Sequence, residues 1–261
     1  MNRTYVVTGA ASGIGAATTE LLRAAGSTVI TVDLHDADIE ADLSTTDGRK
    51  NLVDQVRERS GGRIDAIIAV AGLVAASPVT VGVNHFGAIA TLEGLRPLLA
   101  GSDAPRAAVV ASLAALEETD PGLLEALERG DESAALAEAE RIGTDTTPTG
   151  SSPIYTTTKL AIARWVRRVA PTPEWAGAGI ALNAIAPGVI ETPMTRPALD
   201  SAEGRDALDA GAPSPLNGPA APPAAPAALL AWLTRAENTH VTGQIVFIDG
   251  GAESIRRPDQ V

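Results

Sequence analysis

An α/β fold is predicted for this chain of 261 residues: an open, doubly wound parallel sheet with helices on both faces. Three observations predict it. Short runs rich in β-branched residues alternate with helical stretches along the whole chain, which implies parallel strands joined by right-handed crossovers. The first run is followed at once by a glycine-rich turn that opens a helical pattern. The second run ends on an aspartate, Asp33, at the strand end where such sheets present ligand-binding groups.

The strands are expected at Tyr5–Thr8, Thr28–Val32, Ala66–Val70, Ala107–Ala111, Ile180–Ile185 and Gln244–Ile248. Between them, a helix follows the glycine turn and ends near Gly26, Asp47–Ser60 forms a polar-faced helix, and Val81–Leu99 forms a longer one. The segment 117–150 is a helical insert with two pieces, Pro121–Arg129 and Glu132–Ile142, N-capped by Asp120 and Asp131. It carries ten acidic residues and two arginines between Glu117 and Asp145, which reads as a solvated helical excursion. The insert leaves just after Ser112 and returns just before Tyr155, so its root must lie beside both. The segment 191–226, rich in Pro, Ala and Gly, lacks a sustained helical period until Ala227–Leu233 and reads as a substrate loop, with Met194, Leu199 and Leu216 as apolar cover.

The glycine turn has a chemical reading. In Thr8-Gly9-Ala10-Ala11-Ser12-Gly13-Ile14-Gly15, Gly9 permits the tight turn, Gly13 a close backbone approach to a pyrophosphate and Gly15 close helix packing, with the anion facing a helix N-terminus. Asp33, eighteen positions after Gly15, is placed to accept hydrogen bonds from the adenosine ribose and would repel a 2′-phosphate. No Lys or Arg occurs from Asp33 to Glu40, so the expected cofactor is NAD. Tyr155 and Lys159 share one helical face. A phenol ionises near pH ~10, so a cation four residues on is expected to ease its ionisation and make it a proton shuttle at neutral pH.

These residues resemble the short-chain dehydrogenase/reductase family over essentially the whole chain, a single domain with a Rossmann-like sheet. The resemblance implies that Thr8 to Gly15, including Ser12 and Ile14, form the cofactor loop and that Asp42 and Leu43 contact adenine. It equates Ala71 and Gly72 with the end of the family's Asn-Asn-Ala-Gly segment, and Pro187, Gly188, Val189, Ile190 and Thr192 with the nicotinamide-side loop. Asn84, Ser112, Tyr155 and Lys159 would be the catalytic tetrad: Tyr155 moving the proton, Lys159 tuning it and binding ribose, Ser112 stabilising the substrate oxygen, Asn84 holding a water. Ala69 and Val70 depart from the two asparagines, so a stabilising side-chain bond is expected to be lost or replaced there. Within the family, Ala41-Asp42-Leu43-Ser44-Thr45, Gly48-Arg49-Lys50, Ile248-Asp249-Gly250-Gly251 and Arg257-Pro258-Asp259-Gln260 are most similar to the bacterial 3α-hydroxysteroid dehydrogenase/carbonyl reductase subgroup. The implied activity interconverts a neutral, largely apolar alcohol and its carbonyl compound. Monoterpenoid or phenylpropanoid alcohols remain alternatives, as does a nonenzymatic NAD-responsive module. The insert would obstruct subunit packing on the Tyr155 helix, which points to a homodimer through the C-terminal strand region.

Composition bounds the rest. Lys plus Arg number 20 against 32 Asp plus Glu, a net charge of −12, which disfavours nucleic acid and anionic membranes as partners. There is no cysteine, which excludes disulfides and thiolate chemistry, and His35, His85 and His240 are dispersed, so no metal site is expected. No run reaches the roughly 20 apolar residues of a membrane span, and the first residues enter a strand without a targeting segment, from which a cytoplasmic location is expected.

Overall fold

The structure is a computed structural model in which residues 3–147 and 151–260 are described. Residues 148–150 of the predicted insert lie outside that set. The strands are β1 (Thr4–Thr8), β2 (Thr28–Asp33), β3 (Ile39–Glu40), β4 (Ala66–Ala69), β5 (Arg106–Val110), β6 (Ala181–Pro187) and β7 (Ile245–Ile248). They form one all-parallel sheet in the order β3-β2-β1-β4-β5-β6-β7. The strand order reverses at β1, which pairs with β2 on one side and β4 on the other, so a crevice opens above the carboxyl ends of β1 and β4. The two-residue β3 had no signal in the sequence; it exists because Ile39 and Glu40 pair with Val32 and Asp33 at the sheet edge.

The principal helices are α1 (Gly13–Ala24), α2 (Thr46–Arg59), α3 (Pro78–Val81), α4 (Ala88–Leu95), α5 (Pro121–Arg129), α6 (Glu132–Ile142), α7 (Pro153–Val169), α8 (Arg196–Leu199), α9 (Ala202–Gly211), α10 (Ala224–Leu233) and α11 (Ala252–Arg256). Near-continuous apolar strands need cover on both faces. Leu52 and Val56 of α2, Leu92 and Leu95 of α4, and Ile162 and Val166 of α7 bury one face. Leu22 of α1 and Leu230 and Leu233 of α10 bury the other.

Two expectations need correction. Val81–Leu99 is not one regular helix: Gly82–Gly87, between α3 and α4, is wound as a π-helix and carries Asn84, while Arg96–Gly101 is 3₁₀. The stretch after Glu191 holds α8 and α9 before α10 begins. Ser201 accepts the Gly204 N–H at 3.0 Å and so caps α9, with Glu203 in its first turn. The insert folds as expected, with Asp120 accepting the Leu123 N–H at 2.8 Å and Asp131 the Ala134 N–H at 3.0 Å. Its apolar residues Leu123, Leu127, Ala135 and Ile142 form a third core with Val81, Ile154 and Ala161, so it covers one flank of α7.

Candidate active site

The crevice at the reversal point is a cleft of about 450 Å³ that runs from Asp33 to Tyr155. At the first end, Thr8 closes β1 and the chain turns through Gly9, whose φ of +67° favours glycine. A side chain there would lie 2.8 Å from the Ala71 amide nitrogen, and a Cβ on Gly15 would run into the Gly9 carbonyl. Ser12 precedes α1 without a side-chain cap, and the first turn of α1 holds no acidic residue, so its N-terminal amides and dipole are open to an anion. A bare turn, an uncapped helix start and a long cleft fit a dinucleotide.

Asp33 does two things. Its Oδ2 accepts the Ala11 N–H at 2.9 Å and its Oδ1 the Leu34 N–H at 2.7 Å, so the carboxylate pins the glycine turn while each oxygen keeps a further lone pair. Asp42 folds its own turn, accepting from the Ser44 N–H and hydroxyl at 2.9 and 2.6 Å, and leaves Leu43 buried. The departure at Ala69 and Val70 is compensated from β1: Thr8 Oγ1 accepts the N–H groups of Val70 and Ala71 at 3.1 and 3.2 Å.

At the other end, Ser112, Tyr155 and Lys159 converge. Ser112 follows β5 and caps a 3₁₀ turn, Leu113–Leu116, by accepting the Ala114 N–H at 3.1 Å. That leaves its own proton to donate. Tyr155 and Lys159 stand one turn apart on α7, with Lys159 Nζ 5.7 Å from the Tyr155 ring centroid and donating to the Val110 carbonyl at 2.9 Å. Burial holds the Lys159 ammonium down at about 8. Burial also pushes the Tyr155 phenol above its ordinary value; its hydrogen bond to Ser112 opposes that and the charge of Glu117 adds to it. Desolvation thus disfavours the charged form of both groups in the protein alone.

Of the cofactor-binding residues named from the sequence, Thr8, Ala10 and Ala11 of the glycine turn and Val189 do not line this cleft and the others do; Val189 instead accepts the Ala221 N–H at 3.0 Å. Thr192 packs against Gly13 and so brings the loop after β6 over the glycine turn. Asn84 lies beneath the cleft instead of in its wall. Its amide accepts the Leu73 N–H at 2.7 Å and donates to the Leu73 carbonyl at 2.9 Å and to Thr158 Oγ1 at 3.3 Å. Those bonds show it clamping the chain after Gly72 to α7.

Met194 lines the cleft, whereas Leu199 and Leu216 do not. Leu199 is half-buried on α8, and Leu216 is exposed and donates its N–H to the Gly250 carbonyl. Leu73, Val79 and Val83 also line the cleft, and the sequence reading missed them. Their signal was the apolar run after Gly72, but only the Asn84 clamp turns Leu73 toward a site. Among the described residues no group of three or more His, Asp or Glu could hold a metal ion, and no helix is long and apolar enough to cross a membrane.

Comparison with known proteins agrees with this geometry. Residues 3–120 match the family described as short chain dehydrogenase, and residues 130–253 match the one described as enoyl-(acyl carrier protein) reductase. The chain is 35% identical to 3-alpha-hydroxysteroid dehydrogenase/carbonyl reductase of Comamonas testosteroni, covering 98% of both. It is 31% identical to a short-chain reductase protein of Streptomyces niveus, covering 94% of this chain and 92% of that one. The solved structure of the 3-alpha-hydroxysteroid dehydrogenase from Pseudomonas sp. B-0831, complexed with NADH, superposes with a TM-score of 0.86 at 36% identity, covering 99% of this chain and 100% of that one. The chain belongs to the short-chain dehydrogenase/reductase family. It is an oxidoreductase that acts between alcohols and carbonyl compounds with a nicotinamide dinucleotide.

Proposed function

We propose that this enzyme uses NAD(H) to interconvert neutral, predominantly apolar secondary alcohols and ketones, with hydroxysteroid-like rings the leading substrate class. The observation that carries the reading is the convergence of Ser112, Tyr155 and Lys159 at one end of a cleft whose other end carries Asp33. Gly9 to Gly15, Asp33, Asp42, Leu43, Ala71, Gly72 and the loop from Pro187 to Thr192 would hold the dinucleotide. When bound, its nicotinamide supplies the acceptor or donor of hydride. Tyr155 Oη takes the hydroxyl proton of an alcohol, or returns it to a carbonyl, while Ser112 Oγ donates to the same oxygen and stabilises its developing charge. Lys159 keeps a positive charge beside the phenol, and Asn84 holds the wall that carries Leu73.

Leu73, Val79 and Met194 are exposed apolar residues lining the cleft, where Lys159 is the one cation among the described residues, and the relatives in Comamonas and Pseudomonas are named for hydroxysteroids. Apolar burial at roughly 25 cal/mol per Å² could select a ring system there. The decisive experiment follows NADH absorbance with neutral cyclic alcohols and matched hydroxy acids, using NAD and NADP in parallel. NAD and the neutral rings are expected to have the higher kcat/KM. Equal use of both cofactors would overturn the role of Asp33, and consistent preference for the acids would overturn the substrate class. Asp33→Ala should narrow the cofactor gap and also weaken NAD itself, about tenfold or more, because it releases the Ala11 N–H.

The proposal extends to assembly as a homodimer through the C-terminal strand region. Edge strand β7 has all four residues half-exposed, and Trp232 and Ile255 nearby in sequence are exposed, while the insert covers a flank of α7. Light scattering that gave a tetramer built on α7 would refute it.

A further inference from the structure

Two hydrogen bonds and a shared turn tie the root of the insert to the residues around the reactive tyrosine. Thr156 donates to the Glu118 carbonyl at 2.7 Å, Thr157 accepts the Asp120 N–H at 2.9 Å, and Ser112 and Glu117 bracket the same 3₁₀ turn. The residue after Tyr155 is thus fastened to the residue after Glu117. The Glu117 side chain is only 10% exposed. Its Oε1 lies 3.7 Å from Arg256 Nη2 of α11, and Thr147, at the far end of the insert, reaches its Oε2 at 3.5 Å. A carboxylate this sheltered, on the turn that carries Ser112, is held where the insert, the C-terminal helix and the catalytic end of the cleft meet.

We propose that Glu117 is a positioning residue for Tyr155, balanced by Arg256, so that the C-terminal helix sets the charge that the reactive phenol faces. The proposal rests on Tyr155 being the proton-transfer group. The charge on Glu117 opposes formation of the phenolate and so works against Lys159, while Arg256 offsets it. Other charges near α7 are paired elsewhere: Asp120 with Arg141, and Glu128 with Arg164 and Arg168 two or more turns away. Neutral His85 faces that same Glu128 flank, and on α11 itself Glu253 is taken by Arg257.

The chain has two tyrosines, Tyr5 and Tyr155, so tyrosinate absorbance of the protein without cofactor or substrate, minus that of Tyr155→Phe, reads Tyr155 alone. Glu117→Gln is expected to move this titration, and the matching limb of the kcat–pH profile for alcohol oxidation, down by about one unit. Arg256→Gln is expected to move both up. The double variant should behave as Glu117→Gln, because Arg256 acts through Glu117. A scaffold role alone would lower stability in both single variants without opposite shifts. Unchanged titrations, or shifts of the same sign, would overturn the proposal. Full turnover in Tyr155→Phe would instead overturn the underlying mechanism. If Arg256→Gln fails to fold, Arg256→Lys, which keeps the charge, must leave the titration near wild type.

Discussion

The two ends of the cleft are built from different materials. The end proposed to hold the dinucleotide is mostly backbone: a turn after β1, the start of α1, and a strand-end carboxylate that accepts two N–H groups. The end proposed for catalysis and substrate is mostly side chains, drawn from the π-helical segment, the 3₁₀ turn after β5, α7, and the loop after β6. Backbone geometry at the carboxyl ends of a parallel sheet follows from the fold, so one end can be shared by many enzymes of this architecture. The other end is set by which excursions leave the sheet, and here the largest excursion is bolted to the residues beside Tyr155.

The largest expected effect breaks one end and spares the other. Tyr155→Phe removes a hydroxyl and keeps the ring, so turnover should fall ~10²–10⁴-fold while NAD affinity and the unfolding midpoint stay near wild type. Lys159→Ala should lower turnover and NAD affinity together, since its ammonium lies beside both the Tyr155 ring and Gly72 of the proposed cofactor wall. Single-turnover kinetics beside NADH titration separates the two variants. Wild-type-like turnover in Tyr155→Phe would dissolve the proposed division of labour.

The same difference in materials explains what could be read from the sequence. Gly9, Gly13, Gly15 and Asp33 announce themselves because turn, helix start and strand end each demand a residue type at fixed spacing. The insert was equally readable: Asp120 before Pro121, and Asp131 before Glu132, are local signals that the structure obeys. Asn84 had a recognisable position, but its use as a clamp on Leu73 depends on a π-helical turn, which no hydrophobic period marks. Leu73 and Val79 were missed, and Leu199 and Leu216 were misplaced, because apolar side chains on loops and on single-turn helices such as α3 and α8 acquire a role only through tertiary packing. Helix α9 was missed when the Pro and Gly content around it outweighed the cap at Ser201 and Glu203.

A second prediction tests the side-chain end through stability. His85, next to Asn84, is 2% exposed, and among the described residues its Nδ1 has no hydrogen-bond partner. Burial holds its value down to about 4 from 6.5, so the unfolded chain takes up the proton more readily than the native one. Stability from this group is complete above pH 6.5 and is lost as the pH falls toward 4, by of order 3 kcal/mol. Urea unfolding of wild type and His85→Leu at pH 7 and pH 4.5 isolates the effect from other titrating groups. His85→Leu should lose distinctly less stability over that interval; equal losses would show that the histidine is not the proton acceptor.

The smallest effect distinguishes the tip of the insert from its root. Asp131 is exposed and caps α6 through the Ala134 N–H, with no role near the cleft, so Asp131→Ala should cost about 1 kcal/mol of stability and leave turnover unchanged. Asp120 caps α5 in the same way, but it also pairs with Arg141 at 2.6 Å, and its N–H reaches Thr157 on the catalytic helix. Asp120→Ala should therefore cost more stability than Asp131→Ala and lower kcat, while Asp120→Asn, which keeps the cap and loses the charge, should restore most of kcat. The contrast depends on where each cap sits, since the two aspartates make the same bond to their own helices. Matching losses of stability and turnover in the two alanine variants would mean that the insert acts on Tyr155 as a whole body and not through its root.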